Sequence, residues 1–202
     1  MKRAVCVVIA LLLVTNLFAC GIQSPESMND SPAKEELFEI VWPESLLNML
    51  RYSPEEQAEQ LREASDKNIC TSVQVNSNNT ITVTLTEEQR KNMKAIFLDG
   101  LTRFIESYNK NINLITEYED DYSRVSFYIE RKSNIGEVGV GMTAIIDDIL
   151  LLQLYETKDA DNLKVRVCLY NSANRKLLTE GEMPGDEINL TPEMWDDASN
   201  AA

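Results

Sequence analysis

Histidine is absent from all 202 residues of the chain. That removes Ser–His–Asp and Cys–His nucleophile systems, imidazole general bases, and His-ligated zinc or haem. Cysteine is scarce, with Cys6, Cys20, Cys70 and Cys168 the only four. They are too few for the disulfide framework of a small secreted scaffold. The 7 glycines form no phosphate-cradling loop, and no G-x-S-x-G elbow accompanies the many serines. Basic charge is short as well: 19 Lys and Arg stand against 33 Asp and Glu, a formal net charge of −14. Such a surface repels nucleic acid and anionic headgroups, and the aromatic–basic stripe of a nucleic-acid binder is missing. The acidity serves solubility, and it also suits a basic peptide or protein as partner.

Long apolar runs are rare outside the N-terminus, where Lys2 and Arg3 precede the stretch Ala4 to Val14. That stretch is too short for a comfortable permanent span. It is followed by Leu17-Phe18-Ala19-Cys20, with a small residue where a secretory signal needs one for cleavage. The junction resembles the lipobox of bacterial lipoproteins, although Phe18 is bulkier than that family usually carries. The resemblance implies a signal peptide over residues 1–19, cleavage between Ala19 and Cys20, and acylation of the Cys20 thiol. Cleavage by ordinary signal peptidase and a plain N-terminal anchor are the alternatives. Loss of the leader leaves 17 basic and 33 acidic side chains, a formal charge of −16. No polybasic patch then assists attachment, so membrane binding on the extracytoplasmic side falls to lipid on Cys20. Residues 20–36, with Ser24-Pro25 and Ser31-Pro32, read as a disordered tether reaching roughly 20–25 Å.

Residues 37–183 read as a single domain. Leu37 to Trp42 makes a first strand ended by Pro43, and Leu46, Leu47 and Leu50 follow in a short apolar helix or turn. Ser53-Pro54-Glu55-Glu56 carries a capping box and a proline at the first helical position, starting a polar surface helix over about 54–65. Alternation in Thr71–Val75 and Thr80–Leu85 around Asn76–Asn79 predicts a hairpin. Thr86-Glu87-Glu88-Gln89 is a second capping box. It opens a helix over about 87–108 whose stripe includes Met93, Phe97, Leu101, Phe104 and Tyr108. Alternation from Ile112 through Leu114 and Thr116, and again in Val125, Phe127 and Ile129, predicts a second hairpin. A helix over about 138–156, apolar almost all round, is expected to be buried on most sides. Leu163 to Leu169 and Arg175 to Glu182 complete a third hairpin. Residues 184–202 read as an acidic, weakly ordered tail. The fold class is therefore α+β, with an antiparallel or mixed sheet built from hairpins, helices gathered on one face, and a hint of a duplicated ββα unit.

The strings LFEIVWPESLL, TITVTLTEEQRKNM, YSRVSFYIE and LKVRVCLYNSANRKL occur in that order. They resemble a group of small lipoproteins of Gram-positive gut bacteria, in which a lipobox leader precedes one α+β domain. The resemblance implies that fold and an extracytoplasmic location, and supplies no catalytic residue. Asn171-Ser172-Ala173-Asn174 departs from the Asp-Thr-Gly type of turn that the group favours.

Candidate chemistry is sparse. Asp147 and Asp148 interrupt the most apolar helix; burial would raise their pKa as a general acid requires, but the expected position is a narrow wet strip shared with Thr143. Their side chains diverge by about 100°, so they cannot share one proton as a dyad does. Glu117, Glu119, Asp120 and Asp121 cluster at a turn without the spacing or glycine of a calcium loop. Asp159-Ala160-Asp161 begins like an EF-hand loop and continues with Leu163 and no closing Glu. No cofactor or metal site is expected from either. Cys168 shares a strand face with Lys164 and Arg166, cations that lower a thiol pKa, yet no histidine can act as its base. Cys70 and Cys168 leave one disulfide open. These features favour a lipid-anchored, non-enzymatic binding module. The alternative is an envelope enzyme acting through carboxylates or a cysteine.

Overall fold

The computed structural model describes residues 36–65 and 68–200. The signal peptide, Ala19, Cys20 and the tether as far as residue 35 lie outside the described residues. In chain order the elements are β1 (Leu37–Trp42), α1 (Glu44–Leu50), α2 (Pro54–Ser65), β2 (Ser72–Val75), β3 (Ile81–Thr86), α3 (Glu87–Ile112), β4 (Ile115–Tyr118), β5 (Arg124–Ile129), α4 (Ile135–Thr157), β6 (Val165–Asn171), β7 (Leu177–Met183) and α5 (Pro192–Asn200). This is an α+β fold.

Both capping boxes are formed. Glu56 N donates to Ser53 Oγ at 3.2 Å, and Ser53 N donates back to Glu56 Oε2 at 3.0 Å. At α3, Gln89 N donates to Thr86 Oγ1 at 3.2 Å and Thr86 N to Gln89 Oε1 at 2.9 Å. The buried Gln89 amide also accepts from Thr71 Oγ1 at 3.0 Å and donates to Asn68 Oδ1 at 3.0 Å. One side chain thus fastens the start of α3 to the segment that enters β2.

The expected hairpins form, but they build two sheets rather than one. The first has order β1-β3-β2 and is antiparallel. The second has order β4-β5-β6-β7, with β5 and β6 parallel because α4 intervenes as a crossover. Strand alternation tells which side chains share a face, not which strands are neighbours, so the division is not readable from period. The ββα order occurs three times (β2-β3-α3, β4-β5-α4 and β6-β7-α5), but β1 joins β3 antiparallel whereas β6 joins β5 in parallel. Ile112 also departs from expectation: it ends α3 instead of starting a strand. Asn113 stops the helix at φ 53°, and Leu114 is fully buried before β4 begins at Ile115.

The segment from 184 is not a weakly ordered tail over its described length. It carries α5, whose Trp195 is 4% exposed and belongs to the core. A lone tryptophan in an acidic stretch was the signal for this packing.

One core cluster joins both sheets around α4, in which Val138, Ile145, Ile149, Leu150, Leu152 and Tyr155 are buried. Inward residues of the strands include Ile40, Trp42, Ile81, Val83, Val125, Phe127, Val165 and Val167. Gln153 fixes α4 to β6 by donating to Lys164 O at 2.8 Å and accepting from Lys164 N at 3.1 Å. Gly141 permits the close crossing of α3 and α4. A Cβ there would lie 3.0 Å from Tyr108 Cδ1 and 3.2 Å from Leu114 Cδ2. Among the described residues no helix is long and apolar enough to cross a membrane.

The α3 stripe is unevenly buried: Leu101 is 0% exposed, whereas Phe97 and Phe104 are only partly buried against the core. Leu101→Ala is therefore expected to cost about 2–5 kcal/mol in denaturant melts, and Phe104→Ala less than about 2 kcal/mol. Equal losses at the two positions would show that Phe104 packs as deeply as Leu101.

Candidate functional site

The four-stranded sheet uses only one of its faces for the core. Val125, Phe127 and Ile129 of β5 and Val165, Val167 and Leu169 of β6 point inward and are buried. Period two then sends Arg124, Ser126 and Tyr128, with Arg166, Cys168 and Tyr170 beside them in register, to the opposite face. There the Tyr128 and Tyr170 rings stack with centroids 5.2 Å apart. Arg124 Nη2 donates to Tyr170 Oη at 2.6 Å, and Tyr128 Oη donates to Glu117 Oε2 at 2.8 Å. The Arg175 guanidinium lies 4.6 Å from the Tyr128 ring centroid and 3.6 Å from Glu117. Arg166 Nη2 meets both Glu180 oxygens at 2.8 Å, and Lys164 meets Glu182 at 3.1 Å.

Cys168 lies beneath this net with 0% exposure, its Sγ 3.7 Å from Glu180 Oε2. The sulfur beside Arg124 is the chief cause that holds that guanidinium above its usual pKa, and Arg166 holds the Glu180 carboxyl below the usual range. Arg124 Nε is buried without a partner. Cys168 does share a face with Arg166, as period two implies, but it is sealed rather than half-covered. A sealed thiol whose neighbouring carboxylate is held by Arg166, and so is a weak base, is filler, and the chemistry of the face is that of matched charges and aromatic rings. Arg124 and Tyr170 could not be assigned to it beforehand, because the β5–β6 pairing spans more than forty residues.

Asp147 and Asp148 require a correction. They do lie on a half-buried strip with Thr143, but one carboxylate oxygen of each is packed out of reach of water. A Cβ on Gly100 would lie 3.0 Å from Asp148 Oδ2, so the carboxyl is packed beneath the α3 backbone. Asp147 Oδ1 and Asp148 Oδ2 are both buried without a hydrogen-bond partner. Burial pushes Asp147 up to about 7 against a small opposing pull from Arg51. It pushes Asp148 up to about 8, aided by the Asp147 charge and opposed by Arg103. The glycine opposite was the available signal, since only a missing side chain admits a carboxyl there.

The acidic turn is used locally. Ser123 Oγ donates to Asp121 Oδ1 at 2.6 Å and to Glu119 Oε2 at 3.1 Å, and Arg124 stands 3.9 Å from Glu119. Asp159 accepts from Asn162 N and Nδ2 at 3.1 and 2.7 Å, forming a turn cap to which Asp161 contributes its backbone N–H and not its carboxylate. Among the described residues no three His, Cys, Asp or Glu side chains converge as a metal-ligand set. Cys70 and Cys168 are both free and buried. An open depression of about 750 Å³ lies past the C-terminal ends of β5 and β6, lined by Asn109, Asn113, Ile115, Arg131, Asn171 and Ser172 among others. Neither aspartate of α4 lines it, so the raised carboxyls and the depression do not form one site.

No protein-family model, curated protein or solved structure matches this chain.

The two aspartates make stability depend on pH. Each binds its proton more tightly in the folded than in the unfolded chain, so their penalty is absent below about 4. It grows as pH rises above about 4, where the unfolded carboxyls ionise, and levels off once pH passes about 7 and about 8, where they ionise in the fold as well. Melting temperature is therefore expected to fall between pH 5 and pH 8.5, corresponding to roughly 1–3 kcal/mol after allowance for partial exposure. Asp147→Asn with Asp148→Asn should flatten that slope. A double variant that keeps the wild-type slope would assign it to other groups.

Proposed function

We propose that this chain is a lipid-anchored extracytoplasmic interaction module that holds a peptide or protein partner of basic character near the membrane. The observation that carries the reading is the uncovered outer face of the four-stranded sheet, where matched Arg–Glu pairs and stacked tyrosines replace the apolar cover a buried face would need. The leader and the Ala19-Cys20 junction support lipid attachment at Cys20. The formal charge of −16 that remains after the leader favours a cationic partner through long-range attraction.

The enzyme reading draws on the raised carboxyls of Asp147 and Asp148. These groups sit in a helix–helix seam, apart from the depression at the strand ends, and lack a nucleophile or second acid facing them. Binding is the stronger reading.

Membrane partition tests the anchor. Cys20→Ala expressed in the native host should move from the membrane to the soluble or uncleaved fraction and lose its detergent-phase partition. Unchanged partition of the variant would mean that something other than lipid on Cys20 holds the protein.

A further inference from the structure

We propose that the free edge of β4 is the docking strand of this module, and that its occupant is an extended, basic peptide segment added to the sheet in register. The inference rests on the interaction-module reading and names the surface and partner class for it.

The register of the β4–β5 hairpin settles which backbone groups are free. Glu119 N donates to Arg124 O at 3.0 Å, so that pair is a hydrogen-bonded one. In an antiparallel ladder such pairs recur at every second residue, here Glu117 with Ser126 and Ile115 with Tyr128. The N–H and C=O groups of Thr116 and Tyr118 therefore point away from β5, out of the sheet. No other strand follows, because β4 ends the order β4-β5-β6-β7. Strand β4 is also exposed, with Ile115 at 41% and Tyr118 at 37%.

The other edges are treated differently. At β2, Arg62 Nη2 donates to Val73 O at 3.3 Å from helix α2. At β7, Asp186 blocks the end of the strand: its N donates to Glu182 O at 2.9 Å, and its Oδ2 accepts from Glu182 N at 2.7 Å. At β1, Lys158 Nζ lies 3.9 Å from the Phe38 ring centroid and would repel an incoming cation. Proteins commonly blunt an edge with a charge, a cap or a covering element, and β4 carries no lysine or proline for that purpose.

Charge selects the occupant. Glu117, Glu119, Asp120 and Asp121 flank this edge against Arg124 and Arg175, and the two ion pairs there are long, at 3.9 and 3.6 Å. Asp120 has no cationic partner among the described residues. A segment of alternating basic and β-branched residues would place its backbone on Thr116 and Tyr118 and its cations toward this turn. A second copy of β4 would instead bring two such acidic turns together, which disfavours an edge-to-edge dimer.

The test uses the full chain in detergent micelles and a fluorescent ten-residue peptide of alternating Lys and Val, with the Glu–Val peptide as control. Expected are saturable binding of the Lys–Val peptide, at least tenfold weaker binding of the control, and slowed amide exchange confined to residues 114–119. Thr116→Pro removes an outward N–H that the β4–β5 ladder does not use, and should weaken binding at least tenfold. Asp120→Lys, at an exposed turn, should weaken it several-fold without touching the strand, which covers the case in which the proline variant fails to fold. Absence of saturable Lys–Val binding overturns the proposal. Binding that survives both substitutions, with protection elsewhere, overturns the β4 site while leaving the module reading intact. That reading fails separately if Cys20→Ala stays with the membrane.

Discussion

Everything in this fold answers to one constraint: helix α4 is apolar on nearly all sides and must be covered from nearly all sides. An amphipathic helix needs one partner layer, but the consecutive residues Ile149, Leu150, Leu151 and Leu152 point about 100° apart around the helix and are all buried. A single sheet covers one side of a helix. Two sheets, α1 and α3 together cover the rest. The division of seven strands into groups of three and four follows from that demand. So does the parallel β5–β6 pair, since a strand that leads into a central helix and out again returns in the direction it entered.

The same constraint explains why α4 can hold two unpaired aspartates. Where α3 packs on the helix little wet surface is left for them, and Gly100 opens just enough room beneath the neighbouring backbone for the Asp148 carboxyl. Arg51 and Arg103 lower the penalty without cancelling it. Tyr155 shows a related tension deeper in the core. Its ring packs edge-on against Trp42 and Phe97, at centroid distances of 6.4 and 5.4 Å, while its hydroxyl and the Trp42 indole nitrogen lie near each other without forming a well-aligned hydrogen bond. Large aromatic surface outweighs an unmet polar atom where burial is complete.

Local signals in the sequence were legible wherever local physics decides. Ser53 with Glu56, and Thr86 with Gln89, announce helix starts because a capping box involves residues three apart. Asn76 to Asn79 announces a turn, and Asn79 indeed takes φ 58°. The face of Cys168 was legible from period two, but its burial was not, because the lid over it is Arg124 and Glu180 from two other strands. Likewise Asp147 and Asp148 looked like a wet strip when only their own helix was considered. A carboxylate's environment is set by whatever packs across from it, and that is a long-range fact. The segment after Pro184 misled for a compositional reason: seven of its described positions are acidic or amide side chains, and a single tryptophan outweighs them once it finds the core.

The outer face of the four-stranded sheet shows how a layer can stay uncovered without inviting aggregation. Its cations are matched across strands, with Arg166 on Glu180, Lys164 on Glu182 and Arg175 on Glu117, so the small side chains beneath them, Ser126 and Cys168, are dry while the surface remains polar. Long charged side chains acting as a lid in this way exclude water with their stems and keep their heads solvated. Pairing also leaves little net charge on the face, so the chain's excess of carboxylates is expressed at its turns and edges. An approaching cation is drawn there before it meets the paired net. Attraction to this sheet is therefore concentrated at the end of the β4–β5 hairpin, where backbone hydrogen-bonding groups are free as well. Charge steers the encounter and the strand edge fixes its register, a division of labour that neither the flat face nor the acidic turn could supply alone.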